Sequence, residues 1–206
     1  MTLSRLRNQI CGTFYRFLII TGCFHAGRRI PAVRHGSHEP DENRVADYII
    51  TGQWAKKAYQ EAQKYGKVNK IASSEDKTFS YIPDCSDLPI SENADYVYIC
   101  ENNTIYGTKF WTLPNTKGKD LVADQSSCFL SEPVDVTKYG LIFAGAQKNV
   151  GPAGTVIAII REDLIREDVL DGTPTMLRYK THADAGSLYN TPLPMAFTSA
   201  ARYLSG

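Results

Sequence analysis

Residues 141–160 read LIFAGAQKNVGPAGTVIAII, and the fold turns on this stretch. Two apolar runs of β type, residues 141–144 and 155–160, flank a loop of small residues. In that loop Gly145, Gly151, Pro152 and Gly154 surround one amine, Lys148. A lysine held by small residues at the mouth of a sheet is placed like a reagent, whereas most lysines of any chain simply sit in water. Its neighbours along the sequence decide between the two.

Working outward, residues 120–124 (DLVAD) form a short buried-type strand that ends on the carboxylate of Asp124. Residues 96–100 have strong β propensity and open into ENNTIYGTKF, which carries Thr104. Residues 45–50 (VADYII) form a further strand. Thr51 then predicts an N-cap for a helix with apolar positions Trp54, Ala55, Ala58, Tyr59, Ala62 and Tyr65, ended by Gly66. Residues 70–73 predict a short strand. Downstream, residues 161–169 predict a helix broken by Pro174, and residues 176–190 a mixed polar loop. Residues 1–40 show neither helical nor strand periodicity. Strands alternating with helices or loops at this spacing predict an α/β layered fold with a mainly parallel sheet. Thr104, Asp124 and Lys148 all fall at carboxyl ends of strands, where such sheets gather their functional residues.

Composition narrows the function classes. The 206 residues are 43% apolar and 22% charged with a formal charge of +1, so there is no basic excess to hold a phosphate backbone and no nucleic-acid partner is expected. Cys11, Cys23, Cys85, Cys100 and Cys128 are odd in number and form no CxxC pair, which argues for reduced thiols and a cytoplasmic setting. Cys23 with His25, His35 and His38 fits no zinc spacing, so no metal is expected. The run FLIITGCF behind Arg16 is a poor signal peptide, and no segment approaches the roughly 20 apolar residues that span a bilayer.

Several motifs then agree in order. AGAQKNVGPAG around Lys148, LVADQSS around Asp124, SEPVDVTKYG ahead of the lysine, SLYNTP at residues 187–192, ADYIITGQWAKKAYQEA and PTMLRYKTHAD together resemble the phosphoserine aminotransferases. These are pyridoxal-phosphate enzymes of the aspartate-aminotransferase fold type. The resemblance covers about residues 42–192 and implies the large cofactor-binding domain of a fold-type-I enzyme, a three-layer sandwich with a mainly parallel sheet. Residues 1–41 and 193–206 do not resemble the family.

By the resemblance, Lys148 condenses with the cofactor aldehyde and shuttles the proton between the substrate α-carbon and the cofactor, work for which an amine must be neutral part of the time. Asp124 matches the carboxylate facing the pyridine nitrogen, which keeps the ring able to accept electrons. Trp54 matches the aromatic stacked on the ring, and Thr104 the hydroxyl on its phenolic oxygen. Gln147 matches a phosphate contact, as do Asn190 and Thr191, which reach across from the partner subunit of a homodimer. The resemblance thus implies a shared site and small-molecule amino-acid and keto-acid substrates. Taken alone, each residue also has a plainer reading: Trp54 as helix packing, Asp124 as a turn or cap, and Asn190 with Thr191 as a turn.

The resemblance stops abruptly at both limits. That predicts a family core truncated at both ends and carrying foreign, out-of-frame tails. The leading functional expectation is exchange of an amino group between 3-phosphoserine with 2-oxoglutarate and 3-phosphohydroxypyruvate with glutamate, a step of serine biosynthesis. A non-catalytic remnant or partial cofactor-binding fragment is the second reading. Another fold-type-I aminotransferase is the third.

Overall fold

The computed structural model describes residues 15–21, 45–169 and 173–190. Its elements in chain order are β1 (Tyr15–Thr21), β2 (Val45–Ile50), α1 (Gln53–Ala62), β3 (Lys67–Ser73), β4 (Ala94–Cys100), β5 (Asn102–Asn103), β6 (Thr108–Lys109), β7 (Asp120–Asp124), β8 (Leu141–Gly145), β9 (Thr155–Arg161) and α2 (Tyr179–Asp184). The chain divides into two compact units, one of residues 27–124 and one of residues 1–26 with 125–206.

In the first unit the strands run in the order β7, β4, β2, β3, every pairing parallel. All residues of β2 and β7 are buried. This is the pattern of strands covered on both faces, and it explains why neither shows a polar–apolar alternation, the buried Asp47, Asp120 and Asp124 aside. β3 pairs with β2 and turns Lys67 and Lys70 to solvent, charges that suit an outer strand. The core is aromatic. Tyr48 and Tyr98 are almost wholly inaccessible and lie 4.7 Å apart between ring centroids, while the Tyr48 and Tyr96 hydroxyls share a 3.1 Å hydrogen bond. A buried Tyr contributes its large apolar area only if its hydroxyl finds a partner, and the pair satisfies that condition. Burial pushes the Tyr48 phenol well above its usual value, with the charge and hydrogen bond of Tyr96 adding to the shift.

α1 buries Ala55, Ala58 and Ala62, small residues that let the helix lie close to β2. The aromatic positions expected on that stripe stay at its margin: Trp54 is 37% exposed and Tyr65 47%. The helix also begins one residue later than expected. Gly52 is the N-cap in fully extended backbone, and Thr51 does not cap. The end comes at Ala62, short of Gly66.

A fully buried carboxylate, Asp47, locks the start of this unit. It accepts hydrogen bonds from the Ser91 backbone N–H (2.6 Å), the Ser91 hydroxyl (2.9 Å) and the Asn69 amide (3.0 Å), joining β2, β3 and the approach to β4.

In the second unit β9 pairs antiparallel with both β8 and β1. Leu141, Ile142, Ile157, Ile159 and Ile160 are at most 1% exposed. Each contributes about 1.5–3 kcal/mol of burial relative to exposure. Three expectations are corrected here. Residues 15–21 form a full strand, in register from Tyr15 opposite Arg161 to Thr21 opposite Thr155, where no regular element was expected. Residues 161–169 are not helical: Arg161 is the last residue of β9, a single 3-10 turn follows at Glu162–Leu164, and the ion pairs Arg161 to Asp163 and Arg166 to Asp168 join residues two apart. The expected loop at 176–190 contains α2, fixed by buried His182, whose ring meets the Met176 carbonyl at 3.0 Å.

Candidate functional site

The first unit carries Trp54, Thr104 and Asp124. Trp54 stands in the first turn of α1, with the Lys57 ammonium 4.7 Å from its ring centroid. Thr104 is exposed in the turn between β5 and β6. Asp124 ends β7 and is 6% exposed, and its carbonyl accepts the Glu101 N–H at 3.0 Å, tying the end of β7 to the end of β4. Burial is the main reason the Tyr98 phenol titrates well above its usual value, and the charge of Asp124 is the next. A carboxylate whose field reaches its neighbour in a poorly solvated strand end is suited to holding a positive charge.

One residue that sequence reasoning missed links these parts. Asn103 is 3% exposed and donates from its amide to the hydroxyls of Thr51 (3.1 Å) and Thr108 (3.2 Å). Its backbone carbonyl accepts from the N–H groups of Tyr106 (3.1 Å) and Gly107 (2.9 Å), closing the turn that presents Thr104. Gly107 takes φ +66° to complete that turn. Tyr106 leans on buried Phe79, with ring centroids 5.1 Å apart.

The second unit carries Gln147, Lys148 and Asn190, all exposed. Gln147 and Lys148 lie in the turn after β8. Ala146 anchors it: its N–H donates to the Thr155 carbonyl at 3.0 Å, and its carbonyl accepts from Val150 (3.0 Å) and Gly151 (2.8 Å). The Ser126 hydroxyl accepts the Gly145 N–H at 2.9 Å, and Asn149 reaches the Phe129 carbonyl at 2.8 Å. The Gln147 amide folds back over Gly145, where an added Cβ would stand 2.8 Å from it. Asn190 lies eight residues beyond buried His182. Thr191, residues 193–206, Cys23, His25, His35 and His38 lie outside the described residues. Among the described residues, no three His, Cys, Asp or Glu side chains cluster as for a metal, and no helix is long and apolar enough to cross a membrane.

Comparison with known proteins extends this picture. The class-V aminotransferase family matches residues 23–205. The chain is 54% identical over 149 residues to phosphoserine aminotransferase of Desulfotalea psychrophila, covering 72% of this chain and 41% of the relative. It is 50% identical over 151 residues to phosphoserine aminotransferase of Geobacillus kaustophilus, covering 73% and 41%. Among solved structures, phosphoserine aminotransferase from Bacillus circulans subsp. alkalophilus superposes with a TM-score of 0.81 at 35% identity, over 98% of this chain and 54% of that one. The pyridoxal-phosphate-bound enzyme from Trichomonas vaginalis gives 0.76 at 29% identity, over 98% and 56%. The chain thus spans about two fifths of the length of the curated relatives it matches. The expected α/β, fold-type-I architecture is borne out by these superpositions.

Proposed function

The chain belongs to the class-V aminotransferase family, and on that premise we propose that it carries the pyridoxal-phosphate site of a phosphoserine aminotransferase. The reaction is the reversible exchange of an amino group between 3-phosphoserine and 2-oxoglutarate, within serine biosynthesis. The observation that carries the proposal is the set of side chains that follows the family's order along the chain: Trp54 in the first turn of α1, Thr104 in the β5–β6 turn, Asp124 at the end of β7, and Gln147 with Lys148 in the turn after β8.

These residues suit that cofactor by their chemistry. Asp124, nearly inaccessible at the end of β7, offers a carboxylate to a ring nitrogen. Trp54 has indole surface open to an aromatic ring, and Thr104 stands exposed in the turn that the Asn103 carbonyl closes. Gln147, folded onto Gly145, presents amide donors suited to a phosphate. When bound, pyridoxal phosphate supplies an electron sink for the carbanion formed on proton loss.

The chain's own residues do the rest. Lys148 takes up the proton at its neutral amine and returns it from the ammonium so formed, on the 146–150 turn that Ala146 fixes at its base. Asp124 holds the positive charge that makes electron withdrawal favourable. Trp54 orients the ring and Thr104 its phenolic oxygen. Asn190 and Thr191 complete the phosphate contacts from a second copy, so the working species is a homodimer acting on small-molecule substrates in the cytoplasm.

The test is reduction of the chain with borohydride in the presence of pyridoxal phosphate, followed by mapping of the pyridoxyl group by mass spectrometry. The adduct is expected on Lys148 and absent from Lys148→Ala. Label scattered over many lysines with no preference for Lys148 would end the proposal. Sedimentation of the same sample reads the dimer.

A further inference from the structure

We propose that Asn103 is the positioning residue that couples the ring-stacking Trp54 to the hydroxyl of Thr104, so that the two are set as one unit. The inference rests on the cofactor-site reading above and adds to it a residue that touches no part of the cofactor.

Three observations converge on this side chain. Its amide spans two elements, donating to Thr51 immediately before the α1 N-cap and to Thr108 in β6. Its oxygen lies against Gly52, the N-cap itself: an added Cβ there would come within 2.4 Å of Asn103 Oδ1, so the helix start and the amide are in tight contact. Its carbonyl closes the 103–107 turn, on which Thr104 is the next residue. Asn103 is inaccessible, so loss of its amide cannot be made good by solvent. The Thr51 hydroxyl accepts this bond directly ahead of the Gly52 N-cap, so the Asn103 amide is tied to the start of α1, two residues before Trp54. Small misplacements of a stacking ring or a hydrogen-bonding hydroxyl cost large factors in rate and affinity, so a rigid tie between the two is functional geometry.

The chain has two tryptophans, Trp54 and Trp111, and Trp111 is 83% exposed. Trp111→Phe therefore makes emission report Trp54 alone. In that parent, Asn103→Leu keeps the size and removes both donors. Asn103→Asp keeps an acceptor to which both threonine hydroxyls can donate, beside a helix N-terminus that favours negative charge.

Hydrogen exchange of the cofactor-free chain is the first readout. In Asn103→Leu, amides of residues 52–57 and 103–108 are expected to exchange about tenfold faster together while the β8–β9 amides do not change, and Asn103→Asp restores them. Titration with pyridoxal phosphate is the second. Saturable quenching of Trp54 in the parent should weaken about tenfold in apparent affinity in Asn103→Leu and return in Asn103→Asp. Unchanged exchange in either segment, or affinity in Asn103→Leu equal to that of a parent that binds, overturns the coupling. A parent that shows no saturable quenching overturns the cofactor-site reading instead, and the exchange data still decide whether Asn103 couples the two segments.

Discussion

At the scale of the residue, environment separates side chains that look alike in the sequence. Asp47 and Asp124 are both buried strand aspartates. Asp47 spends its oxygens on Ser91 and Asn69, whereas Asp124 ends its strand and imposes its field on Tyr98. The substitution Asp124→Asn keeps the shape and removes the charge. Transamination by the cofactor-loaded chain is expected to fall about a hundredfold or more, with cofactor affinity far less affected. A steady-state assay against a binding titration checks this. Cys85 behaves differently again. It lines an open cleft of about 720 Å³ with Ile82, Lys109, Trp111 and Leu113, and burial, aided by the charge of Asp84, pushes its thiol up to about 11. The reactive form is the thiolate, so alkylation of Cys85 in the folded chain at pH 8.5 should run about a hundredfold slower than in the urea-unfolded chain. The rate should climb as pH approaches 11, a profile that peptide-resolved iodoacetamide labelling measures.

At the scale of the element, the strongest polar tie is the Asp47 cluster across β2, β3 and the approach to β4. Removing the acceptor in Asp47→Ala takes three hydrogen bonds from the half-buried Ser91 and Asn69, and a loss of about 1–3 kcal/mol in urea-unfolding stability is expected. The elements also show what sequence periodicity can and cannot resolve. β2 and β7 were legible to the residue because both faces are covered, so that short, mostly apolar segments with β-type residues stand out between polar ones. α1 was legible as a helix, but its cap was not: Thr51 is the better capping residue by type, yet Gly52 is the N-cap and the Thr51 hydroxyl accepts from Asn103, 52 positions away. β1 was not legible, because YRFLIIT mixes a charge into its run and gains its partner only in β9. The helix expected at 161–169 failed for a related reason. Pairing with β1 extends β9 through Arg161, and the acids that would have made helical pairs serve arginines two residues away.

At the scale of the whole molecule, the candidate residues were named from the order of the motifs along the chain. Lys148, Asp124, Thr104 and Trp54 stand out because the family resemblance gives each a role, whereas each taken alone has a plainer reading. Asn103 did not, since a single Asn in ENN is indistinguishable by type from a turn former. Net charge is likewise a property of the whole chain. With a formal charge of +1 and an isoelectric point near 7.6, and with Ile105, Trp111 and Leu188 exposed, self-repulsion is weakest close to neutrality. Solubility is expected to pass through a minimum near pH 7.6 and to rise on either side, which a precipitation series across pH 6–9 would record. The pairing of β1 with β9 also bears on synthesis at the ribosome. The parallel strands β2, β3, β4 and β7, within residues 45–124, pair among themselves and can form as they emerge. β1 is complete at Thr21, yet its partner begins at Thr155. At about 5–20 residues per second that interval lasts on the order of ten seconds. Throughout it the nascent β1 is an unpaired apolar ribbon and a natural client for a chaperone.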